Sequence, residues 1–256
     1  MSAPPAAQQR SEGLPLFLVM PVYHEQDTIG RTLAEVRDKV RLPHRLLVVY
    51  DTDDDPTLPV VRALAPEHPG LELVKNELGR GVLNAIKQGL QVACAGEGDA
   101  AVVVVMADLS DDLSMIEPMV RLLEAGHDLV AGSRYAPGGA QIGGPWLKST
   151  LSRLAGRSLH ALTTLPVHDA TNAFRVYRAS FLRQVTIEST GGFELSLELT
   201  VKAWAGGFRV AELPTTWTDR TAGQSKFRLA AWLPLYLRWY TAALAHEWLG
   251  RPVGGR

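Results

Sequence analysis

Short apolar runs alternate with helical patterns through the first half of the chain. Each run is rich in β-branched residues and stops at polar residues, which is typical of a strand buried on both faces. The runs are Leu16–Tyr23, Arg45–Asp51, Leu71–Glu77, Ala100–Asp108 and His127–Tyr135. Helical patterns lie between them at 27–40, 56–64, 81–95 and 113–125. This alternation predicts an α/β fold with a mostly parallel sheet and helices on both faces.

The second half of the chain follows a less regular pattern. It predicts two helices, one strand and one extended segment, at Trp146–Leu162, Phe193–Ala205, Phe174–Arg178 and Phe208–Arg220. The Gly- and Pro-rich segment Ala136–Pro145 predicts a flexible loop that could close as a lid. We expect a disordered tail over 1–14 and one domain over 15–228, with halves at about 15–135 and 136–228. A C-terminal helix and tail follow over 229–256.

The segment Leu229–Leu249 is apolar and aromatic, and it is about as long as a membrane-spanning helix. Arg238 lies in its middle, where a charge costs roughly 2.5–3.5 kcal/mol on insertion scales. Its Trp and Tyr residues would suit a membrane interface, so a helix that lies in the plane of the lipid is one interpretation. Packing against the core, or against a second copy in a homodimer, is the alternative.

Composition and charge narrow the class of protein. The 256 residues are 46% hydrophobic and carry a formal net charge of −1, so the whole molecule gives no case for nucleic-acid binding. The one cysteine, Cys94, cannot form an internal disulfide and is interpreted as a small buried hydrophobe. The N-terminal segment lacks the apolar core of a signal peptide. We therefore expect a cytoplasmic protein that could act peripherally at the inner face of the membrane.

Acidic residues follow two of the predicted strands. Asp51 ends the second strand, and Asp108, Ser110 and Asp111 end the fourth. Ligands of open parallel sheets bind beyond the carboxyl ends of the strands, so we expect these residues in one crevice. Mg²⁺ or Mn²⁺ prefers such oxygen ligands and commonly holds substrate phosphates as well. A helix N-terminus, where acids are favoured, is the alternative for Asp111.

Common phosphate-binding loops are missing from the chain. Neither G-x-G-x-x-G nor G-x-x-x-x-G-K-[ST] follows the first strand, which argues against dinucleotide enzymes and P-loop kinases. A nucleotide held by carboxylates and a metal is favoured instead.

Six motifs recur in the order found in one family. They are "VMPVYHEQDTIGRTL", "GRGVLNAIKQG", "MADLSDD", "VAGSRY", "DATNAFRVYR" and "DRTAGQSKF". In these motifs the chain resembles the dolichol-phosphate mannose synthase-like glycosyltransferases of inverting family 2, over roughly residues 16–227. The resemblance implies a GT-A fold and transfer of a sugar from a GDP- or UDP-linked donor.

The resemblance also implies roles for individual residues. Contacts to the nucleotide-sugar fall to Pro21, Tyr23, Glu25, Asp51, Ala107, Asp108, Arg220 and Lys226. The metal and diphosphate segment reads Met106–Ser110, where the family usually has Asp at the first position and Gln at the last. A thioether is a poor ligand for a hard cation, so either Asp111 or Asp112 compensates, or metal binding is weak, or the chain no longer catalyses. The expected metal ligands are Asp108, Ser110 and Asp111.

Basic residues are expected around the substrate phosphates. Arg134 follows the fifth strand, and Lys148 and Ser152 are four apart on one helix face. In the family, the equivalent of Arg134 and the basic loop that here contains Arg220, Ser225 and Lys226 surround the phosphates. The acceptor phosphate is therefore expected at Arg134, Lys148, Ser152 and Ser225.

The acceptor decides whether a base is needed. A lipid phosphate has a second pKa near 6 and is already an oxyanion, whereas a hydroxyl needs a base to take its proton. Base candidates are Asp169, Glu194 and Glu198, and Asp108, Asp169 and Arg134 are the expected catalytic residues. Two other classes stay open: a non-catalytic homologue that binds nucleotide or a partner protein, and a sugar nucleotidyltransferase.

Overall fold

The computed structural model describes residues 13–219 and 229–254. The described part contains a seven-stranded mixed sheet in the order β3-β2-β1-β4-β7-β5-β8, together with a two-stranded pair of β6 and β9. The strands are β1 Leu16–Val22, β2 His44–Tyr50, β3 Leu71–Lys75, β4 Ala101–Val104, β5 Leu129–Ser133, β6 Ala140–Ile142, β7 Arg175–Arg178, β8 Val210–Pro214 and β9 Thr216–Thr218. The α/β prediction is confirmed.

Helices cover both faces of the large sheet. They are α1 Ile29–Lys39, α2 Thr57–Leu64, α3 Val82–Ala93, α4 Ile116–Glu124, α5 Trp146–Leu162, α6 Ala179–Leu182, α7 Leu195–Ala205 and α8 Leu229–Leu249. Alternate residues of β4 enter two separate cores: Val102 and Val104 pack with α3, and Val103 packs with α1 and α4. The run of four valines is explained by this burial on both faces.

Three differences from the predicted elements affect the site. Strand β7 runs antiparallel to its neighbours β4 and β5, although the strands to either side of it are parallel to one another. Strand β4 ends at Val104, so the segment that leads to Asp108 is a loop. The segment predicted as a flexible lid contains β6, which pairs with β9 from Ala140 to Ile142.

Helix α8 packs on the body of the protein. Its Trp239 is buried, and Tyr240 shares a hydrogen bond of 2.8 Å with Ser158 on α5. Trp248 donates from Nε1 to the carbonyl of Leu162, also at 2.8 Å. Packing against the core is thus confirmed for this side of α8. Within the described residues, no helix combines the length and apolar character needed to cross a membrane.

Candidate active site

The register of the parallel strands brings three loops to one edge of the sheet. Val22 of β1 lies beside Tyr50 of β2, and Val19 lies beside Val104 of β4. The segments that follow these strands begin at Tyr23, Asp51 and Val105. These segments carry the residues predicted at the site.

A buried carboxylate joins the first two loops. Asp55 accepts hydrogen bonds from the backbone N–H of His24, at 3.2–3.3 Å, and from that of Thr57, at 2.8 Å. His24 has a φ of 58°, which is uncommon for a residue other than glycine. Its ring stacks on Tyr23, which stays about half exposed at the rim. The sequence places Asp55 among the acids that follow the second strand, but this structural role was not predicted. An Asp side chain that accepts from the N–H two residues later is a typical local turn at a helix start.

The loop after β1 positions two more predicted residues. The hydroxyl of Thr28 donates to Glu25 Oε2 at 3.0 Å, and the N–H of Glu25 donates to Thr57 Oγ1 at 2.8 Å. Pro21 is buried inside β1 beside Val49. The loop after β1 is therefore held both by its own hydrogen bonds and by one to the start of α2.

Asp51 shapes the loop before α3. Its Oδ1 accepts from Asn76 Nδ2 at 2.7 Å, and its Oδ2 accepts from the N–H of Gly81 at 2.9 Å. Asn76 also donates to the carbonyl of Gly79 at 2.7 Å. The role of Asp51 toward a base or ribose stays a prediction, while its role in fixing residues 76–81 is visible. Asn76 was not singled out in the sequence because only the folded register places it beside Asp51.

Three buried residues form the predicted metal segment. Asp108, Ser110 and Asp111 are each less than a tenth exposed. Oδ1 of Asp108 accepts from the N–H of Ser110 at 3.2 Å, and Leu109 between them adopts a φ of 61°. The carbonyl of Ala107 accepts from Thr32 on α1 at 2.9 Å, which anchors the segment to the core.

The two carboxylates of this segment disfavour each other's charge. Burial and the charge of Asp108 raise the pKa of Asp111 to about 7. Oδ2 of Asp111 is buried and accepts no hydrogen bond from the described residues. A buried polar atom without a partner is costly, and a cation would supply both the charge and the contact that it lacks.

The donor set fits a hard divalent ion. Two carboxylates and the hydroxyl of Ser110 offer oxygen, and the backbone of Met106 hydrogen-bonds Asp111. In the described ranges no group of three or more His, Cys, Asp or Glu side chains is placed to hold a metal. Such a site would need oxygens from substrate phosphates or water, as Mg²⁺ sites commonly do.

Asp169 is tied to Arg134 in a buried ion pair. Nε of Arg134 donates to Oδ2 at 2.7 Å and Nη2 donates to Oδ1 at 3.0 Å. Burial alone would raise the pKa of Asp169, but the charge and hydrogen bonds of Arg134 outweigh it and hold the pKa below its ordinary value. A carboxylate in this state is a poor base, so the geometry favours a positioning role for Asp169.

Ser152 belongs to the same network. Its Oγ lies 3.2 Å from Arg134 Nη2, 2.9 Å from the hydroxyl of Tyr135 and 2.6 Å from Thr171 Oγ1. Lys148 is exposed one turn earlier on α5. The structure thus brings Arg134 and Ser152 together as predicted. Arg220, Ser225 and Lys226 lie outside the described residues.

Glu194 and Glu198 hold a turn of the backbone. Oε1 of Glu194 accepts from the N–H groups of Thr190 and Gly191, at 3.1 and 2.6 Å. Glu198 is fully buried, accepts from the N–H of Ser189 at 2.8 Å and pairs with Lys202 at 2.9 Å. These buried structural partners occupy both carboxylates and therefore argue against either as a general base. Shared spacing on a helix face could not reveal those partners.

Comparisons with known proteins place this fold and edge in one enzyme class. A model of Glycosyl transferase family 2 matches residues 17–186. The solved structure of glucosyl-3-phosphoglycerate synthase from Mycobacterium tuberculosis, in complex with Mn²⁺, uridine diphosphate and glucosyl-3-phosphoglycerate, has a TM-score of 0.62. The two sequences are 18% identical, and the matched region covers 91% of this chain and 79% of the synthase chain. This similarity shows the GT-A fold.

Two curated relatives are more similar in sequence. Polyprenol monophosphomannose synthase of Mycolicibacterium smegmatis is 29% identical over 84% of this chain and 86% of its own length. Undecaprenyl-phosphate mannosyltransferase of Micrococcus luteus is 30% identical over 82% of this chain and 86% of its own length. The chain belongs to glycosyltransferase family 2, and it is a hexosyltransferase by class.

Proposed function

We propose that this enzyme transfers a hexose, with inversion, from a nucleoside-diphosphate sugar to a polyprenyl phosphate. The observation that carries the proposal is the pair Asp108 and Asp111, buried at the substrate edge of the sheet with one carboxylate oxygen unpartnered among the described residues. The names of the two mannosyl relatives specify polyprenol and undecaprenyl phosphate, which favours a lipid-phosphate acceptor.

Asp108, Asp111 and Ser110 would hold Mg²⁺ or Mn²⁺. When bound, such an ion neutralises charge that develops on a leaving diphosphate. Asp111 would take the place of the first aspartate that the family pattern has and that Met106 replaces. Its carboxylate is hydrogen-bonded by the backbone of Met106 and lies close enough to Asp108 to feel its charge.

The donor nucleotide would lie along the loops after β1 and β2. The half-exposed ring of Tyr23 offers an apolar face at the rim, and Asp51 and Glu25 lie in the neighbouring loops. Pro21 and Ala107 would line the floor, where small or rigid residues leave room for the diphosphate. The basic residues Arg220 and Lys226 are proposed to contact the donor phosphates.

A phosphate acceptor agrees with the absence of an available base among the candidates. Asp169 is ion-paired with a lowered pKa, and Glu194 and Glu198 are engaged with backbone. A phosphate monoester needs no base at neutral pH. Arg134, fixed by Asp169, would direct the acceptor phosphate together with Lys148, Ser152 and Ser225.

Large apolar side chains are exposed on α5 and α8, which lie side by side. We name them the α5–α8 patch, and its members are Trp146, Leu147, Leu151, Leu154, Leu162, Leu233, Leu237, Trp248 and Leu249. Lys148, Arg153 and Arg157 are also exposed on α5 and are suited to anionic headgroups. We propose that the patch lies in the lipid surface, where a polyprenyl phosphate resides, so that the enzyme acts peripherally at the membrane.

A direct transfer assay tests the proposal. The full chain is incubated with Mn²⁺, undecaprenyl phosphate in detergent, and in turn GDP-mannose, UDP-glucose and UDP-N-acetylglucosamine. We expect one donor to yield an undecaprenyl-phosphate sugar and the free nucleoside diphosphate in equal amounts. Hydrolysis of the donor without sugar on the lipid, or transfer only to a hydroxyl acceptor, would overturn the acceptor assignment.

A further inference from the structure

A cationic cavity of about 520 Å³ opens beneath α5, beyond β5. Its lining residues are Arg134, Tyr135, Ala136, Pro137, Gly139, Arg153, Arg157 and His168. None of these lining residues is acidic. The sequence pattern did not single out Arg153, Arg157 or His168, and the sugar-transfer step proposed above does not use them.

Two of the cavity arginines have no ion-pair partner among the described residues. Arg153 and Arg157 are exposed and lie one turn apart on α5, so their positive charges repel each other. No described residue accepts a hydrogen bond or forms an ion pair with either guanidinium. An anion between the two side chains would relieve this repulsion, and a guanidinium can bind phosphate through two parallel hydrogen bonds.

The remaining walls are held in place by neighbouring groups. The ring of Tyr135 lies between two guanidinium groups, with Cζ of Arg134 at 4.8 Å and Cζ of Arg153 at 5.4 Å from its centroid. The ring of His168 lies against His160, tilted by 37° with centroids 3.9 Å apart, and its Nδ1 bonds to Glu212. These contacts hold Arg134, Arg153 and the ring of His168 at the cavity wall.

We infer that this cavity binds a phosphate group, of the kind that a lipid headgroup or a free phosphate ion presents. The site is separate from the Asp108 edge, although Arg134 lines the cavity and its charge also reaches Asp111. It opens beside the exposed leucines of α5, where a headgroup would enter from a lipid surface. Binding there requires no nucleotide-sugar, so the inference does not depend on the transfer activity.

Binding to vesicles tests the inference with the full chain. Vesicles of phosphatidylcholine are compared with vesicles that also contain phosphatidylglycerol, and inorganic phosphate and a water-soluble short-chain phosphatidylglycerol are titrated separately. Arg157→Gln and the double variant Arg153→Gln/Arg157→Gln are compared with Lys148→Gln, which removes one exposed charge from the same helix outside the cavity. Melting temperatures verify that each variant is folded.

Loss of one basic residue near an anionic surface costs about 1 kcal/mol, or about fivefold in affinity, which is what we expect for Lys148→Gln. Two independent residues of that kind would cost about thirtyfold, so we expect the double variant to lose more than this, at least about a hundredfold. If the double variant loses affinity only for phosphatidylglycerol, the ligand is a lipid headgroup. If it loses affinity equally for inorganic phosphate, the ligand is a free phosphate ion. Both results support a phosphate site. The inference is overturned if wild type binds none of the probes, or if Lys148→Gln and Arg157→Gln weaken binding equally.

Discussion

Asp169 holds Arg134 through two parallel hydrogen bonds, of 2.7 Å from Nε and 3.0 Å from Nη2, inside the protein. The pair joins the turn before β7 to the end of β5, residues that are 35 positions apart. Because the N–H of Arg134 also donates to Oδ2 at 3.1 Å, both the backbone and the guanidinium are fixed by one carboxylate. The direction in which Arg134 faces the substrate edge therefore depends on Asp169.

Replacement of Asp169 by Asn tests this dependence. The change leaves a buried guanidinium without its counter-charge, and breaking a buried pair in this way costs roughly 3–5 kcal/mol. We expect a lower free energy of unfolding, measured in urea, and a fall in kcat larger than any change in KM for the donor. Ser152→Ala, which removes one hydrogen bond of the same network, should cost about 1 kcal/mol. A fully active Asp169→Asn enzyme would show that Arg134 is positioned by other residues.

Asp108 and Asp112 lie in the same loop but differ in role. Asp112 accepts from the N–H of Ser114 at 3.2 Å as the cap of the short turn before α4. Asp108→Asn should reduce metal-dependent turnover at least about a hundredfold, because even outer-shell changes at metal sites cost 10–100-fold. Asp112→Ala should lower stability by about 1 kcal/mol and keep the response to Mn²⁺. Equal losses of turnover in the two variants would contradict the metal assignment.

The raised pKa of Asp111 predicts a pH-dependent stability without metal. Between the ordinary value of 3.8 and about 7, the folded state binds more protons than the unfolded state. Protonation of Asp111 therefore adds its full contribution to the free energy of unfolding below about pH 4. That contribution, up to about 4 kcal/mol, is lost as the pH rises through 7.

Asp111→Asn should remove that part of the pH dependence. Melting temperatures of wild type and variant are measured from acid to neutral pH in the presence of a chelator. As the pH rises, the variant should become increasingly more stable than the wild type. Addition of Mn²⁺ should stabilise only the wild type. Parallel pH profiles for the two proteins would mean that Asp111 titrates normally.

Leu154 tests the lipid-facing assignment of the α5–α8 patch. Its side chain is 60% exposed, and transfer of a leucine side chain out of water is worth about 1.5–3 kcal/mol. Leu154→Glu should weaken partition to phosphatidylglycerol vesicles about tenfold or more, whereas Leu154→Met should leave it nearly unchanged. A concentration-dependent dimer that Leu154→Glu dissociates, with no lipid binding by wild type, would assign the patch to a second copy instead.

The sequence predicted the elements better than their directions. Burial of Val102 to Val104 on both faces of the sheet follows from an unbroken apolar run, and α5 matches its predicted bounds. The antiparallel course of β7 was not predicted, because a strand buried on both faces has the same apolar pattern in either direction.

The candidate site was predicted in part for a similar reason. Residues that directly follow a strand, such as Asp108, are placed by the rule for the carboxyl edge of a parallel sheet. Partnerships between distant residues, such as that of Glu198 with the N–H of Ser189, depend on tertiary packing and leave no local pattern. The roles of Asp55 and Asn76 were missed because each bonds a residue of the neighbouring loop, Asp55 the N–H of His24 and Asn76 the carboxylate of Asp51.

The central claim is that Asp108 and Asp111 together hold one divalent ion that carries a nucleoside diphosphate. Electron paramagnetic resonance of free Mn²⁺, recorded while the full chain is added with and without GDP or UDP, measures this binding directly. We predict that wild type removes about one equivalent of Mn²⁺ from solution when the matching nucleotide is present, and that Asp108→Asn and Asp111→Asn remove little. Unchanged binding in both variants, or no binding by the wild type with either nucleotide, would contradict the account.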